Sequence, residues 1–343
     1  MFRLTAQRRT LALGLTALWG TVFAAHWLIA EGTGERSAAW ARPATTAALL
    51  GVGTGMILHT RRALLRELDR SWDIAATAQG VLVRPLPPRV GGLGVAAVQR
   101  SADPGAVIGG DVYEVLDTEH GVRALIGDVR GHGLDAVPAA AAVLGCFREA
   151  AHEEHQLCGV LRRLDRAFAR HLRRRAQEGQ HPAGEEFVTL LLLEVRADGV
   201  LRAVNCAHPW PYRVGVGPTR PLSEAEPLPP LGVFPLPEHV PVTHCGRMRP
   251  DDALILHTDG VTEARDDRGR LFPLSETLTR AARGRPVTAR YLLGSVESAL
   301  LHHTGGRPAD DTALLVLHND AHLFASLPSQ PQGPAPPVAH PVP

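Results

Sequence analysis

Four acidic positions in this chain stand at the ends of apolar runs or in glycine-marked turns: Gly109-Gly110-Asp111, Gly127-Asp128, Asp259-Gly260 and Asp310-Asp311. An isolated Asp-Gly is usually no more than a turn. Here each Asp adjoins a strongly hydrophobic β-type run, as in ALIGD and LILHTDG, so folding can carry several carboxylates to one place. Two carboxylates ~4 Å apart repel by about 4 kcal/mol at an effective dielectric of ~20, and a group of them needs cations. An oxygen-rich set suits Mg²⁺ or Mn²⁺ rather than zinc, which prefers Cys and His. Two such ions ~3.5 to 4 Å apart lower the pKa of a shared water and steady the charge on a phosphoryl group during in-line attack. Hydrolysis of a phosphate ester is the reaction that fits.

The elements that must position these acids are mostly short strands. Strand-like runs occur at Val95 to Val98, Val112 to Leu116 and Val122 to Ile126, with His120-Gly121 as a turn. Further runs are Phe187 to Val195, Leu201 to Cys206, Pro211 to Val214, Val240 to His244, Leu254 to His257 and Ala313 to Leu317. Phe187 to Val195 alternates poorly, as a strand buried on both faces does. Helical spacing marks Leu134 to Ala151, with Asp135 as cap and Pro138 in the first turn, and the stripe Leu157, Val160, Leu161, Leu164, Phe168, Leu172. Two more helices are expected near Leu274 to Arg283 and Ala289 to His302. Strand hairpins, a helical pair and more strands do not alternate as a doubly wound sheet does; they predict an α+β fold of antiparallel sheets flanked by helices.

Ahead of this domain, residues 11–30 carry no charged side chain, and at ~1.5 Å per helical residue they match the ~30 Å hydrocarbon core. A weaker apolar stretch covers 43–60. Arg3, Arg8 and Arg9 precede the first stretch and Arg61, Arg62 and Arg66 follow the second, so the positive-inside rule predicts a two-helix transmembrane hairpin over 1–62 with both ends cytoplasmic. The chain would then be a multi-pass protein of the cell membrane with its main domain in the cytoplasm. A cleaved export signal is the rival reading. Residues 63–84 read as an amphipathic connector helix that could pair with a second copy as a homodimer, closed by RPLPPR. The segment 321–343, ending in SQPQGPAPPVAHPVP, is too Pro-rich and apolar-poor to pack and reads as a disordered tail.

Composition excludes several classes. The chain has 343 residues with 36 basic and 35 acidic side chains, so it lacks the basic footprint of a dedicated nucleic-acid binder. Cys146, Cys158, Cys206 and Cys245 form no C-x-x-C pair, which removes a zinc ribbon or thioredoxin-type motif and leaves four buried, reduced thiols as the expectation. No G-K-[ST] phosphate loop or G-x-S-x-G elbow occurs, and His152-Glu153-Glu154-His155 lacks the H-E-x-x-H spacing of a zinc helix. The arginines Arg162, Arg163, Arg166, Arg170, Arg173, Arg174 and Arg175 lie opposite the apolar stripe. They form either an ordinary solvated face or a contact for anionic lipid or an acidic partner.

Taken jointly, Gly109-Gly110-Asp111, Gly127-Asp128-Val129-Arg130-Gly131-His132-Gly133, Thr258-Asp259-Gly260-Val261-Thr262-Glu263-Ala264 and Asp310-Asp311 resemble the metal-dependent serine/threonine protein phosphatases. The branch they look like is the bacterial one typified by SpoIIE and RsbU, and Asn205-Cys206-Ala207-His208-Pro209 is similar to that branch's A-G-H-P turn. The resemblance runs from about Pro85 to Leu317 and implies an α-β-β-α four-layer sandwich over 85–320, with two divalent ions, Mn²⁺ or Mg²⁺, at one end of the two sheets. It implies that Asp128 bridges both ions, that Val129 offers its carbonyl, that Asp259 and Asp310 complete one shell, and that Asp111 acts directly or through water. Asp111, Asp128, Asp259 and Asp310 would be the catalytic acids, and Asp311, a neighbour of less defined part, is counted with Asp111, Asp128, Val129, Asp259 and Asp310 among the metal-binding residues. Arg130 stands where animal relatives place a general-acid His, and it is a candidate contact for the substrate phosphate. The implied function is hydrolysis of phosphoserine or phosphothreonine, by a hydroxide held between the metals, on a cytoplasmic regulatory protein such as an anti-sigma-factor antagonist. The alternatives are a catalytically silent docking module and a small-molecule phosphohydrolase.

Overall fold

The computed structural model describes residues 47, 51, 53–62, 84–101, 110–130, 136–178, 186–283, 287–306 and 309–320. The first expected span, the first part of the second apart from residues 47 and 51, nearly all of the connector, Gly109, Gly131-His132-Gly133, Asp135 and the Pro-rich tail lie outside these residues. Residues 53–62, the end of the second expected span, are helical. Among the described residues no helix is long and apolar enough to cross a membrane. The chain divides into two units, Met1–Ile74 and Ala75–Pro343, with the division inside the stretch read as a connector.

In the larger unit the first sheet contains β3 (Asp111–Thr118), β4 (Gly121–Val129), β5 (Val188–Val195), β6 (Val200–Cys206) and β9 (Thr243–Arg247), in the order β3-β4-β5-β6-β9. The second has the order β1-β2-β11-β10-β7-β8, built from β1 (Arg89–Val90), β2 (Leu93–Arg100), β7 (Tyr212–Val214), β8 (Arg220–Pro221), β10 (Ala253–His257) and β11 (Thr312–His318). Every ladder in both sheets is antiparallel. Helices α1 (Val137–Glu153) and α2 (Leu157–Gln177) cover the first sheet; α4 (Leu274–Ala281) and α5 (Ala289–His303) cover the second; α3 (Asp259–Thr262) is a single turn after β10.

Three apolar layers account for the stacking. In β5, Leu190 and Leu192 pack against α1 and α2, whereas Leu191, Leu193 and Val195 pack between the sheets. β10 and β11 divide in the same way: Ile255, Leu314 and Val316 meet α4 and α5, while Leu254, Leu256, Leu315 and Leu317 face the other sheet. A strand with period-two side chains and a helical layer on one face must be apolar throughout, which is why β5 reads as a continuous hydrophobic run. The predicted four-layer sandwich is the observed one.

Some local expectations need correction. The first helix starts at Val137 rather than Leu134, and its N-cap residue is Ala136, which makes no side-chain cap. The strand expected at Val240 to His244 lies at Thr243–Arg247, because Val240 and Val242 pack into the layer under α1 and α2 instead. Only Cys206 among the four thiols is buried; all four are free.

Among the described residues the one guanidinium fully buried in the core is that of Arg123, on β4. Its Nε and Nη2 donate to Glu194 Oε2 across the β4–β5 ladder at 3.0 and 2.6 Å, and its remaining donors reach the carbonyls of Ala151, Glu154 and His155. A single side chain thus ties the sheet to the C-terminal end of α1. Arg123→Ala leaves a buried carboxylate and three carbonyls without this donor, so it should destabilise the protein by about 3–5 kcal/mol, read from urea unfolding. A loss below about 1 kcal/mol would show that water reaches the site.

Candidate functional site

The sheet registers bring the acids to one end of the sandwich. Asp111 opens β3 and Asp128 lies near the end of β4, and the two are direct cross-strand partners. In the other sheet, β10 ends at His257 opposite Leu314, so Thr258 and Asp259 leave the sheet at the end where Asp310 and Asp311 enter it. The end of β2 is there as well, since Arg100 pairs with Thr312.

Two sets of hydrogen bonds join these ends across the sandwich. Thr258, fully buried, donates through Oγ1 to Asp111 Oδ2 at 3.0 Å and accepts from the Ala313 amide at 2.9 Å. Asp311 accepts from Ser101 Oγ at 3.0 Å and from the Gly110 amide at 3.1 Å, while the side chain of Gln99 donates to the Asp111 carbonyl. Close backbone approach completes the clamp. A Cβ on Gly260 would stand 1.9 Å from the Asp311 carbonyl oxygen, and one on Gly127 would stand 2.6 Å from that of Thr189. The glycine after Asp259 is therefore what lets α3 press against the start of β11.

Behind Asp128 lies a neutral polar layer. Thr189 is its cross-strand partner on β5, and Thr189 Oγ1 is 3.1 Å from Nδ1 of His208. The Asn205 side chain holds His208 by accepting from its amide at 2.9 Å and donating to its carbonyl at 2.8 Å, across a turn in which Ala207 takes φ 52°. Burial pushes His208 down to about 3 and His257 down to about 4, so both imidazoles are uncharged at neutral pH. They contribute shape and hydrogen bonds without neutralising the acids.

The acids are thus left to repel one another. Burial, then the charge of Asp128, holds Asp111 well above the usual carboxylate range. Asp128 is pushed up to about 7 by burial and by Asp259, Asp310 and Asp311. Asp259 and Asp310 are exposed, and Asp310 Oδ1 accepts from the Asp311 amide. Among the described residues no cation stands within salt-bridge distance of Asp111, Asp128, Asp259 or Asp310. An all-oxygen, uncompensated set of this kind fits hard divalent ions. It is not a ready-made cage: among the described residues no three His, Cys, Asp or Glu side chains form a ligand cluster. The structure therefore brings Asp111, Asp128, Asp259, Asp310 and Asp311 into one electrostatic neighbourhood and stops short of coordination geometry. Val129 is buried, and its amide donates to the Gly110 carbonyl. Arg130 is exposed, with its guanidinium 5.2 Å over the Phe187 ring.

Sequence reasoning overlooked Thr258, Ser101 and Thr189. Thr258 lies within the T-D-G motif, whose signal was spent on its Asp; Ser101 and Thr189 carry no signal apart from their partners in space.

Two outcomes follow from this geometry. Gly260→Ala must push the Asp259 turn away from Asp311, and we expect a loss of about 2 kcal/mol or more of stability together with weakened Mn²⁺ binding by calorimetry. Asp128, whose folded pKa is raised, holds its proton more tightly folded than unfolded. The contribution of Asp128 to metal-free stability is then fully present below pH ~4 and is lost as pH rises through about 7. At about 1.4 kcal/mol per pKa unit, halved for partial exposure, Asp128→Asn should stabilise the chelated protein by roughly 2 kcal/mol at pH 8 and by little at pH 4. Unfolding curves at the two pH values check this, and an equal effect at both would refute the coupling.

No curated protein matches this chain. Solved structures do: the RsbU and RsbW domains of a Mycobacterium tuberculosis protein (24% identity, TM-score 0.54, 67% of this chain and 62% of that one). The SiaA PP2C domain of Pseudomonas aeruginosa superimposes with TM-score 0.61 at 19% identity over 75% of this chain and 98% of that one. The PP2C phosphatase domain and regulatory fragment of Bacillus subtilis SpoIIE gives TM-score 0.51 at 15% identity over 66% and 62%. This chain therefore spans less than two thirds of the first and third of these chains, and at such identities the likeness is one of fold. The family model for stage II sporulation protein E (SpoIIE) matches residues 118–320, more than half of the sequence. By that match, over a PP2C-type sandwich with acids gathered at one end, the chain belongs to the SpoIIE family.

Proposed function

We propose that this chain removes phosphate from phosphoserine or phosphothreonine of a regulatory protein, using two Mn²⁺ or Mg²⁺ ions. The observation that carries the reading is the cross-strand pair Asp111–Asp128, raised in pKa by its own burial and by the acids of the opposite sheet. Asp128, the Val129 carbonyl, Asp259, Asp310 and Asp111 would hold the ions, as the family resemblance suggests. When bound, such ions acidify a shared water and offset charge on the phosphoryl oxygens. The residues of the chain do the rest. Thr258 fixes the rotamer of Asp111 by its hydrogen bond. Thr189 and His208 support the β4 end that carries Asp128. With its carboxylate engaged by Ser101 and Gly110, Asp311 serves to hold the loop rather than to bind metal first. Arg130, stacked on Phe187, offers a guanidinium to a phosphate without pairing with any described acid.

The substrate's regulatory character is supported by the RsbU-type neighbour, whose crystal structure also contains an RsbW domain. An anti-sigma-factor antagonist is the class we favour. Placement at the inner face of the cell membrane belongs to the same proposal, and its support is the uncharged stretch 11–30 with its flanking arginines.

The test is phosphate release by the full-length protein from an aryl phosphate and from a phosphoprotein, with Mn²⁺ and with chelator. We expect metal-dependent turnover that Asp128→Asn lowers by more than about 100-fold, beyond the range typical of an outer-sphere partner. Turnover of aryl and metabolite phosphates but of no phosphoprotein would point to a small-molecule phosphohydrolase. Failure on every substrate in saturating Mn²⁺ would leave a docking module.

A further inference from the structure

Helix α2 is strongly two-sided. Leu157, Val160, Leu161, Leu164 and Phe168 are buried, and the other face carries the arginine run. Those arginines are not equivalent. Arg163 pairs with Glu153, Arg174 with Glu178, and Arg175 with Glu186 at 3.2 Å, while Arg162 donates to the Glu238 carbonyl. Arg166, Arg170 and Arg173 are exposed and have no ion pair among the described residues. Their spacing of four and three residues puts them on one stripe. Arg166 and Arg170 lean over the α1–α2 seam, close enough for their charge to act on the Cys146 thiol of α1.

Beside that stripe the seam opens into a groove of about 590 Å³. Pro138, Ala141, Ala142 and Ala167 floor it beside His171, and Arg170 stands on its rim with two arginines whose charge is already paired, Arg174 with Glu178 and Arg175 with Glu186. Four small side chains keep the floor low and apolar between two helices. A flat bilayer meets the crests of such a surface and leaves the floor empty, whereas a ridge of side chains fills it. One end of the groove is linked along the chain to the strand end that carries Asp128. Pro138 is in the first turn of α1, which follows the β4 end, and Glu186, paired with Arg175, directly precedes Phe187, on whose ring Arg130 rests.

We propose that the α1–α2 groove docks an acidic, amphipathic segment of the phosphoprotein substrate, with the segment's apolar ridge on the alanines and its carboxylates against Arg166, Arg170 and Arg173. This rests on the phosphatase reading and adds to it a means of substrate choice. Arg170 on the rim, with Arg166 and Arg173 beside it on the same stripe and free of ion pairs among the described residues, selects for an acidic flank and against a basic one. Exposed charges of this kind act only within about a Debye length, ~8 Å at physiological salt, so the segment must lie in the groove itself.

The experiment compares full-length wild type with the double variant Arg166→Glu/Arg170→Glu. The probes are two synthetic phosphoserine peptides of equal length, one with glutamates at helical spacing beside the phosphoserine and the other with glutamines in their place. With wild type, KM for the acidic peptide should be about tenfold lower at low salt, and the preference should shrink as salt is raised. In the variant the preference should vanish while aryl phosphate turnover stays at the wild-type value, which also shows that the variant is folded. Equal KM for the two peptides with wild type, or a preference that survives the reversal, overturns the proposal. Fluorescence anisotropy with the unphosphorylated acidic peptide needs no turnover. Binding lost in the variant, in a protein that hydrolyses nothing, would uphold the groove while the phosphatase reading fails. Phosphatidylglycerol vesicles complete the set: vesicle binding abolished by the variant, with the peptide preference unchanged, assigns the arginines to a membrane and overturns the proposal.

Discussion

Repulsion between carboxylates is the constraint to which the rest of the molecule answers. Asp111 and Asp128 are fixed as neighbours by the β3–β4 register, and a slip of one strand by one residue would turn its Asp to the opposite face and part the pair. The opposing sheet then adds Asp259, Asp310 and Asp311 to the same end. A fold selected for stability alone would disperse these charges. This one holds them together with three hydrophobic layers, in which β10 and β11 are buried from end to end.

The clamp that opposes the repulsion uses hydrogen bonds and shape rather than countercharge. Thr258 donates to Asp111 and accepts from Ala313, so one hydroxyl links the two sheets where their acids meet. Gly260 permits a backbone approach that any side chain would block. His208 and His257, which could have supplied positive charge, are buried deeply enough to stay neutral. The result is a site whose net negative charge is left for an external cation to offset.

Much of this was legible in the sequence, for a reason that differs between elements. β5 announced itself because VTLLLLEV has to satisfy a helical layer and a second sheet at once, and α2 because its apolar stripe is interrupted at each turn by arginine. The acids were legible as motif residues, since each closes or opens a strongly apolar strand. What stayed hidden were relations that exist only in space. β9 is a polar edge strand, THCGR, whose pattern is weaker than that of the neighbouring Val240 and Val242, and these valines pack under the helices without pairing in a ladder. The one-turn helix α3 is too short for any periodicity. Ser101 and Thr189 acquire meaning only from Asp311 and His208, which are distant in sequence.

A formal charge of +1 conceals a strong separation of charge along this molecule. Acids gather at one end of the sandwich, and uncompensated arginines line the outer face of α2. A phosphorylated side chain carries about −1.5 to −2 charges at pH 7 and is repelled by the first group and attracted by the second. Because screening confines each effect to neighbouring groups, the arginines cannot neutralise the acidic end from a distance; they can only raise the residence of an anionic partner beside it. Local neutralisation has to come from protons or ions taken up among the acids themselves. Capture and chemistry are therefore separable in this architecture, with the α1–α2 face able to change its partner while the strand ends that carry Asp111 and Asp128 stay as they are.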